Sequence, residues 1–116
     1  MLDKCYVFSM YQQRNPLELE FSNAKLEKLY TTGKSTKYKV EKQVLEGFFE
    51  AIAILEAAND IYDLWNQPSL NFEKYKQWYS VRANRKWRIE FDIDWENKEK
   101  TVGLIKIKEL SNHYGD

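Results

Sequence analysis

The chain has 116 residues, 18 Lys and Arg against 18 Asp and Glu, 43% apolar and 16% aromatic residues. This suits one domain with one modest core and excludes disorder for most of the chain. Zero net charge, taken as a bulk quantity, also points away from nucleic acid, whose phosphates are bound by Lys and Arg. A single cysteine, Cys5, excludes a disulfide framework or a Cys-rich zinc site within the chain, and no metal or cofactor is called for. With no apolar run near ~20 residues and no signal-peptide pattern, the expectation is a cytoplasmic protein without a membrane part.

Residues 1–16 read ambiguously and are taken as an N-terminal extension. CYVFSMY is aromatic and β-compatible, QQRNP closes it with a turn, and Met10 is a second candidate start. LELEF (17–21) alternates apolar and acidic residues, which predicts a half-buried strand. Ser22 or Asn23 then caps a helix to about Tyr30, ended by Thr31, Thr32 and Gly33, and GKSTKYK follows as a basic loop. A longer helix is predicted from about Val40 to Ala58. Val44, Leu45, Phe48, Phe49, Ile52, Leu55 and Ala58 recur at spacings of three and four and form one apolar stripe. Gly47 inside it costs about 1 kcal/mol in helix propensity and marks a candidate close contact. A short helical piece is possible at Ile61–Trp65, and NQPS (66–69) is a turn.

From Leu70 the period becomes two. LNFEKYK reads as a short or edge strand. WYSVRA (78–83) and KWRIEFDID (86–94) read as a hairpin with a tight turn at Asn84 and Arg85. ENKEK is a second turn and TVGLIKIKEL (101–110) the last strand. The order predicts an α+β fold, with two N-terminal helices packed on a small antiparallel β-sheet and residues 17–116 forming a single domain.

The neutral average conceals strong segregation. Residues 74–89 carry Lys74, Lys76, Arg82, Arg85, Lys86 and Arg88 and no acid. Residues 22–40 carry Lys25, Lys28, Lys34, Lys37 and Lys39 against Glu27 alone. Residues 41–73 hold seven acids against Lys42, and Glu90, Asp92, Asp94 and Glu96 form a second acidic block. Alternation sets Arg82 on one face of its strand and Lys86 with Arg88 on one face of the partner, so three cations can meet there. Like charges that close cost energy unless an anion lies between them. A solvated outer face is the plain alternative, but such faces usually mix signs. Trp87 and Phe91 read as core, Trp78 and Tyr79 as packing with some capacity to stack on a base, and the acidic helix face of Glu46, Glu50 and Glu56 as solvated.

LEKLYTTGKS (26–35), SLNFEKY (69–75), YSVRANRKWRIEF (79–91) and ELSNHYG (109–115) together resemble the RelE/ParE superfamily of bacterial toxins, in its HigB or plasmid-maintenance killer branch. The resemblance implies a ribosome-dependent mRNA endonuclease of a type II toxin–antitoxin pair. Its partners would be a HigA-like helix-turn-helix antitoxin, the ribosome and mRNA. The family cleaves without a metal: the RNA 2′-hydroxyl attacks its own 3′-phosphate and the 5′-oxygen leaves. That chemistry needs a base, an acid and cations on the crowded phosphate. The resemblance gives Arg82 and Arg88 the phosphate, since a guanidinium grips two oxygens at once. It gives Lys74 a role in positioning or activating the nucleophile. His113 and Tyr114 become candidate acid and base, and Glu109 stands at a family aspartate position. Lys34, Lys37, Lys39, Lys76, Arg85 and Lys86 are the RNA-binding candidates.

The sequence departs from the family pattern in two places. The P-L-K-G loop is F-E-K-Y here, with Asn71 where some relatives carry a histidine, and the Asp-Tyr-His terminus becomes ELSNHYG. These departures keep two alternatives open: a ParE-like toxin that poisons gyrase through protein contacts, and a degraded toxin that only binds its antitoxin and tunes transcription.

Overall fold

The computed structural model describes residues 17–112. The elements run β1 (Leu17–Phe21), α1 (Ala24–Thr32), α2 (Lys42–Ala57), α3 (Ile61–Trp65), a 3₁₀ turn (Pro68–Leu70), β2 (Glu73–Lys74), β3 (Tyr79–Arg82), β4 (Arg88–Trp95) and β5 (Gly103–Ser111). The 1–16 extension, with Cys5 and Met10, lies outside the described residues.

Local chemistry sets most of the boundaries. The Asn23 side chain accepts hydrogen bonds from the Lys25 and Leu26 N–H groups and caps α1. Gly33, at φ +76°, ends α1 in the left-handed region that glycine enters without strain. Asp60 caps α3 in the same way, accepting from Tyr62 and Asp63. The apolar stripe of α2 buries Val44, Phe48, Ala51, Ile52 and Leu55.

The strands form one sheet in the order β1-β5-β4-β3-β2. The sheet is mixed rather than purely antiparallel, because β1 lies parallel to β5, from Leu17 opposite Gly103 to Phe21 opposite Ile107. Alternation is the same in parallel and antiparallel pairs, so LELEF specified its faces but not its direction. The short helical piece read at Ile61–Trp65 is α3, a third helix beside the two of the expected architecture. β2 is only two residues long, and it forms the far edge.

One face of the sheet carries the core. Leu17, Ile105, Ile107, Ile89, Phe91, Val81 and Tyr79 are buried with Leu26, Leu29, Phe48, Ile52 and Leu55 of the helices. Tyr30 of α1 wedges between Phe21 of β1 and Phe48 and Phe49 of α2. Phe72, Tyr79 and Phe91 stack across the β2–β4 end, with centroids 5.5 Å and 5.8 Å apart along the series. Trp87 is half-buried against this core.

The hairpin is shorter than its sequence pattern. Its strands stop at Arg82 and start again at Arg88, and the connection is five residues rather than a two-residue turn. The Ala83 and Asn84 N–H groups both donate to the Trp87 carbonyl, at 2.9 and 3.1 Å, which draws these residues out of the ladder. This corner rests on Gly47 of α2. A Cβ on Gly47 would stand 1.7 Å from the Ala83 carbonyl oxygen, so helix backbone and hairpin backbone touch directly.

Candidate nucleic-acid interface

Strand register sets the site. Arg82 lies opposite Arg88, and Ser80 lies opposite Glu90. On the next strand, Ser111 lies opposite Arg88 and Glu109 opposite Glu90. On the edge strand, Glu73 lies opposite Ser80 and Lys74 opposite Tyr79. The two arginines therefore form one cross-strand row, and Glu73, Ser80, Glu90 and Glu109 form the next.

Arg88 is 5% exposed and is the only buried charged residue among those described. Its Nε donates to the Ser80 hydroxyl at 2.8 Å. Its Nη2 donates to the Ser80 carbonyl at 3.1 Å and to the Asn71 carbonyl. The same nitrogen stands 3.9 Å from Glu73 Oε1. A buried guanidinium is tolerated only with such partners. They hold it rigidly and tie the loop before β2 to the hairpin. Asn71 makes that approach in the left-handed region, at φ +44°.

Arg82 is exposed and lines a groove with Gly47 and Glu50 of α2. Arg85 and Lys86 are exposed in the hairpin connection. Lys86 thus lies in the connection before β4, not on the strand where the alternation of the sequence had set it on one face with Arg88. Lys74 and Lys76 are exposed on and just after β2, but register sets Lys74 with Tyr79 rather than in the arginine row. The residue of that edge that reaches Arg88 is Glu73. It stands one position before the acid-free stretch, which is why charge counting passed over it.

Glu73 also belongs to an aromatic support. The Tyr75 hydroxyl donates to Glu73 Oε1 at 2.5 Å. The Tyr75 ring stacks on Trp78 with centroids 4.1 Å apart. Burial first, and then this hydrogen bond, raise the Tyr75 hydroxyl above its ordinary pKa. Trp78 borders a groove of about 320 Å³ shared with Gln77, Glu90 and Asp92.

Glu109 sits in a second network. It accepts hydrogen bonds from the Tyr38 hydroxyl and from the Leu110 N–H. The Tyr38 hydroxyl accepts from Asn23 Nδ2 at 2.8 Å, so the α1 cap, the basic loop and the end of β5 are joined. Burial, followed by the bond to Glu109, pushes the Tyr38 pKa up to about 12, while the Asn23 bond pulls the other way. Lys37 lies 4.0 Å from Glu109 Oε2 and over the Tyr38 ring. Lys34 and Lys39 are exposed on the same loop. His113 and Tyr114 lie outside the described residues.

Two of the four acids of the second block are paired with cations across strands. Asp92 pairs with Lys108 at 3.0 Å, and Asp94 pairs with Lys106 at 2.6 Å. Neither pairing was legible before the register of β4 on β5 was known. Among the described residues, no cluster of three or more His, Cys, Asp or Glu is arranged to hold a metal ion. No described helix is long and apolar enough to cross a membrane.

Compared with known protein families, residues 19–104 match the RelE-like toxin of the type II toxin–antitoxin system HigB. The chain belongs to this HigB-like toxin family. No curated protein matched it. The match runs from β1 into β5 and contains Arg82, Arg88 and the whole hairpin, whereas Glu109, His113 and Tyr114 fall beyond it. As a toxin of a type II toxin–antitoxin system, this HigB-like protein has an antitoxin for a partner.

Proposed function

We propose that this HigB-like toxin is a ribosome-dependent mRNA endonuclease that acts in the cytoplasm without a metal. The observation that carries the reading is the direct cross-strand pairing of Arg82 and Arg88. Two cations facing each other repel unless an anion lies near them; Glu73 stands on the Arg88 side, and a phosphate of a bound strand is an anion that can bridge both arginines. Arg88 is pre-organised by Ser80 and Asn71, so it stabilises developing charge without first having to be ordered. Arg82, exposed beside it, closes on the phosphate from solvent.

In the reaction, the 2′-oxygen forms a bond to the adjacent phosphorus and the bond from phosphorus to the 5′-oxygen breaks. The products are a 2′,3′-cyclic phosphate and a free 5′-hydroxyl. A base removes the 2′-hydroxyl proton and an acid delivers one to the leaving oxygen. Glu109, His113 and Tyr114 are the candidates for these roles, and Lys74 for orienting the nucleophile. Lys34, Lys37, Lys39, Lys76, Arg85 and Lys86 hold RNA, including that of the ribosome. A HigA-like helix-turn-helix protein is the antitoxin of this reading.

A ParE-like toxin acting through protein contacts is the second reading. The burial of Arg88 favours it, because a 5% exposed guanidinium serves the fold as well as a phosphate. Mapping mRNA 5′ ends after induction distinguishes the two. The nuclease reading expects translation-dependent cuts that Arg82→Ala suppresses. DNA damage without such cuts would overturn it in favour of gyrase.

A further inference from the structure

Three features that the proposed nuclease chemistry does not use coincide on the C-terminal part of α2 and on α3. The first is aromatic exposure. Tyr62 and Trp65 are 59% and 51% exposed, the only large hydrophobic side chains among the described residues left in solvent. They are three residues apart on α3 and share one face of it. Single exposed apolar residues need no explanation, but a paired Tyr and Trp are the side chains that most often anchor a protein interface. The second feature is a groove of about 370 Å³ where α2 meets α3, lined by Ile54, Ala57, Ala58, Asp63, Asn66 and Gln67. The third is charge. Residues 43–72 contain five acids and no Lys, Arg or His. Glu46, Glu50 and Glu56 are exposed along α2, and Asp60 and Asp63 flank Tyr62.

We infer that the α2–α3 corner is the docking surface for the antitoxin, and that it receives a basic segment carrying an apolar anchor. The occupant follows from charge. A corner whose own two helices carry acids and, from residue 43 on, no cation disfavours RNA and attracts lysine and arginine side chains of a protein. The groove seats an apolar side chain between Ile54 and Ala58. Tyr62 and Trp65 supply rigid contact area on the neighbouring face of α3, and Asp63 on the groove wall meets the partner's cation. Family membership requires such a partner, so the inference does not depend on the nuclease reading.

The test is neutralisation. The toxin is produced with the antitoxin encoded in the neighbouring reading frame, and growth, co-purification and the dissociation constant of the purified pair are measured. Tyr62→Ala and Trp65→Ala are each expected to weaken the complex by about thirtyfold, the loss typical of an interface anchor. Both variants should remain toxic alone and escape neutralisation at antitoxin levels that silence the parent. Association of the parent pair should slow as salt is raised. Trp65 also packs on the buried Phe72 at 4.5 Å. If Trp65→Ala fails to give the parent's circular dichroism, Tyr62→Ala decides alone. A Tyr62→Ala toxin that is neutralised with unchanged affinity overturns the inference. So does a variant that loses self-association while its antitoxin binding stays intact, since the occupant would then be a second copy of this chain.

Discussion

Gly47→Ala sets two effects against each other at the point where α2 meets the hairpin corner. In an exposed helix, alanine for glycine would stabilise by about 1 kcal/mol. Here the new methyl carbon would stand 1.7 Å from the Ala83 carbonyl oxygen and 2.9 Å from the Ala83 carbonyl carbon. A carbon–oxygen contact needs about 3.3 Å, so the two backbones must separate by roughly 1.6 Å. No side chain can rotate to make this room, because the obstacle is main chain on a corner held by the bonds of Ala83 and Asn84 to Trp87. Overpacking of this kind costs about 3 kcal/mol at the upper end of its usual range. The net expectation is a loss of about 2 kcal/mol, or roughly 8 °C in melting temperature for a domain of this size. Urea titration and thermal melts followed by circular dichroism measure it. Because Ala83 adjoins Arg82, toxicity should fall further than stability predicts. A Gly47→Ala variant as stable as the parent would refute direct backbone contact as the reason for the glycine.

The two arginines should separate under mutation. Arg88→Ala removes the bonds that the buried guanidinium makes to Ser80 and Asn71 and is expected to cost about 3 kcal/mol in urea unfolding, whereas Arg82→Ala should stay within about 0.5 kcal/mol. Equal losses would contradict the unequal burial. For Tyr38, the folded hydroxyl binds its proton more tightly than the unfolded one, so its contribution to stability is complete below about pH 10 and is lost as pH rises towards about 12. Unfolding titrations across that window should show a decline that Tyr38→Phe removes, and an unchanged slope in Tyr38→Phe would assign the decline elsewhere. Binding to free RNA should be weak and fall steeply with salt, because Glu73 and Glu90 lie in the row next to the arginines. Tight, salt-insensitive binding in a filter or anisotropy assay would contradict that arrangement.

Much of the fold was legible because it is local. Asn23 and Gly33 bracket α1 through their own side-chain and backbone preferences, and the stripe from Val44 to Leu55 needs only the helical period. The closeness signalled by Gly47 was also visible, though its partner was not. The site was legible in its cations and obscure in its acids. Counting charge from Lys74 onward isolates a basic hairpin but stops one residue short of Glu73, which reaches Arg88 only because β2 pairs with β3. The Tyr38–Glu109 bond joins residues 71 positions apart, and neither residue carries a local mark of the other.

The sequence by itself determined which segments are helices and strands, which faces are apolar, and that Arg82 and Arg88 share a hairpin, because each depends on period, capping or near-neighbour pairing. Tertiary structure decided that β1 runs parallel to β5, that Arg88 is buried while Arg82 is exposed, and that Asp92 and Asp94 find Lys108 and Lys106. The segregation of a zero net charge into basic and acidic stretches was already legible along the chain. Pairing direction, burial and ion pairs all depend on what packs alongside a residue, and along the chain those neighbours are tens of positions away.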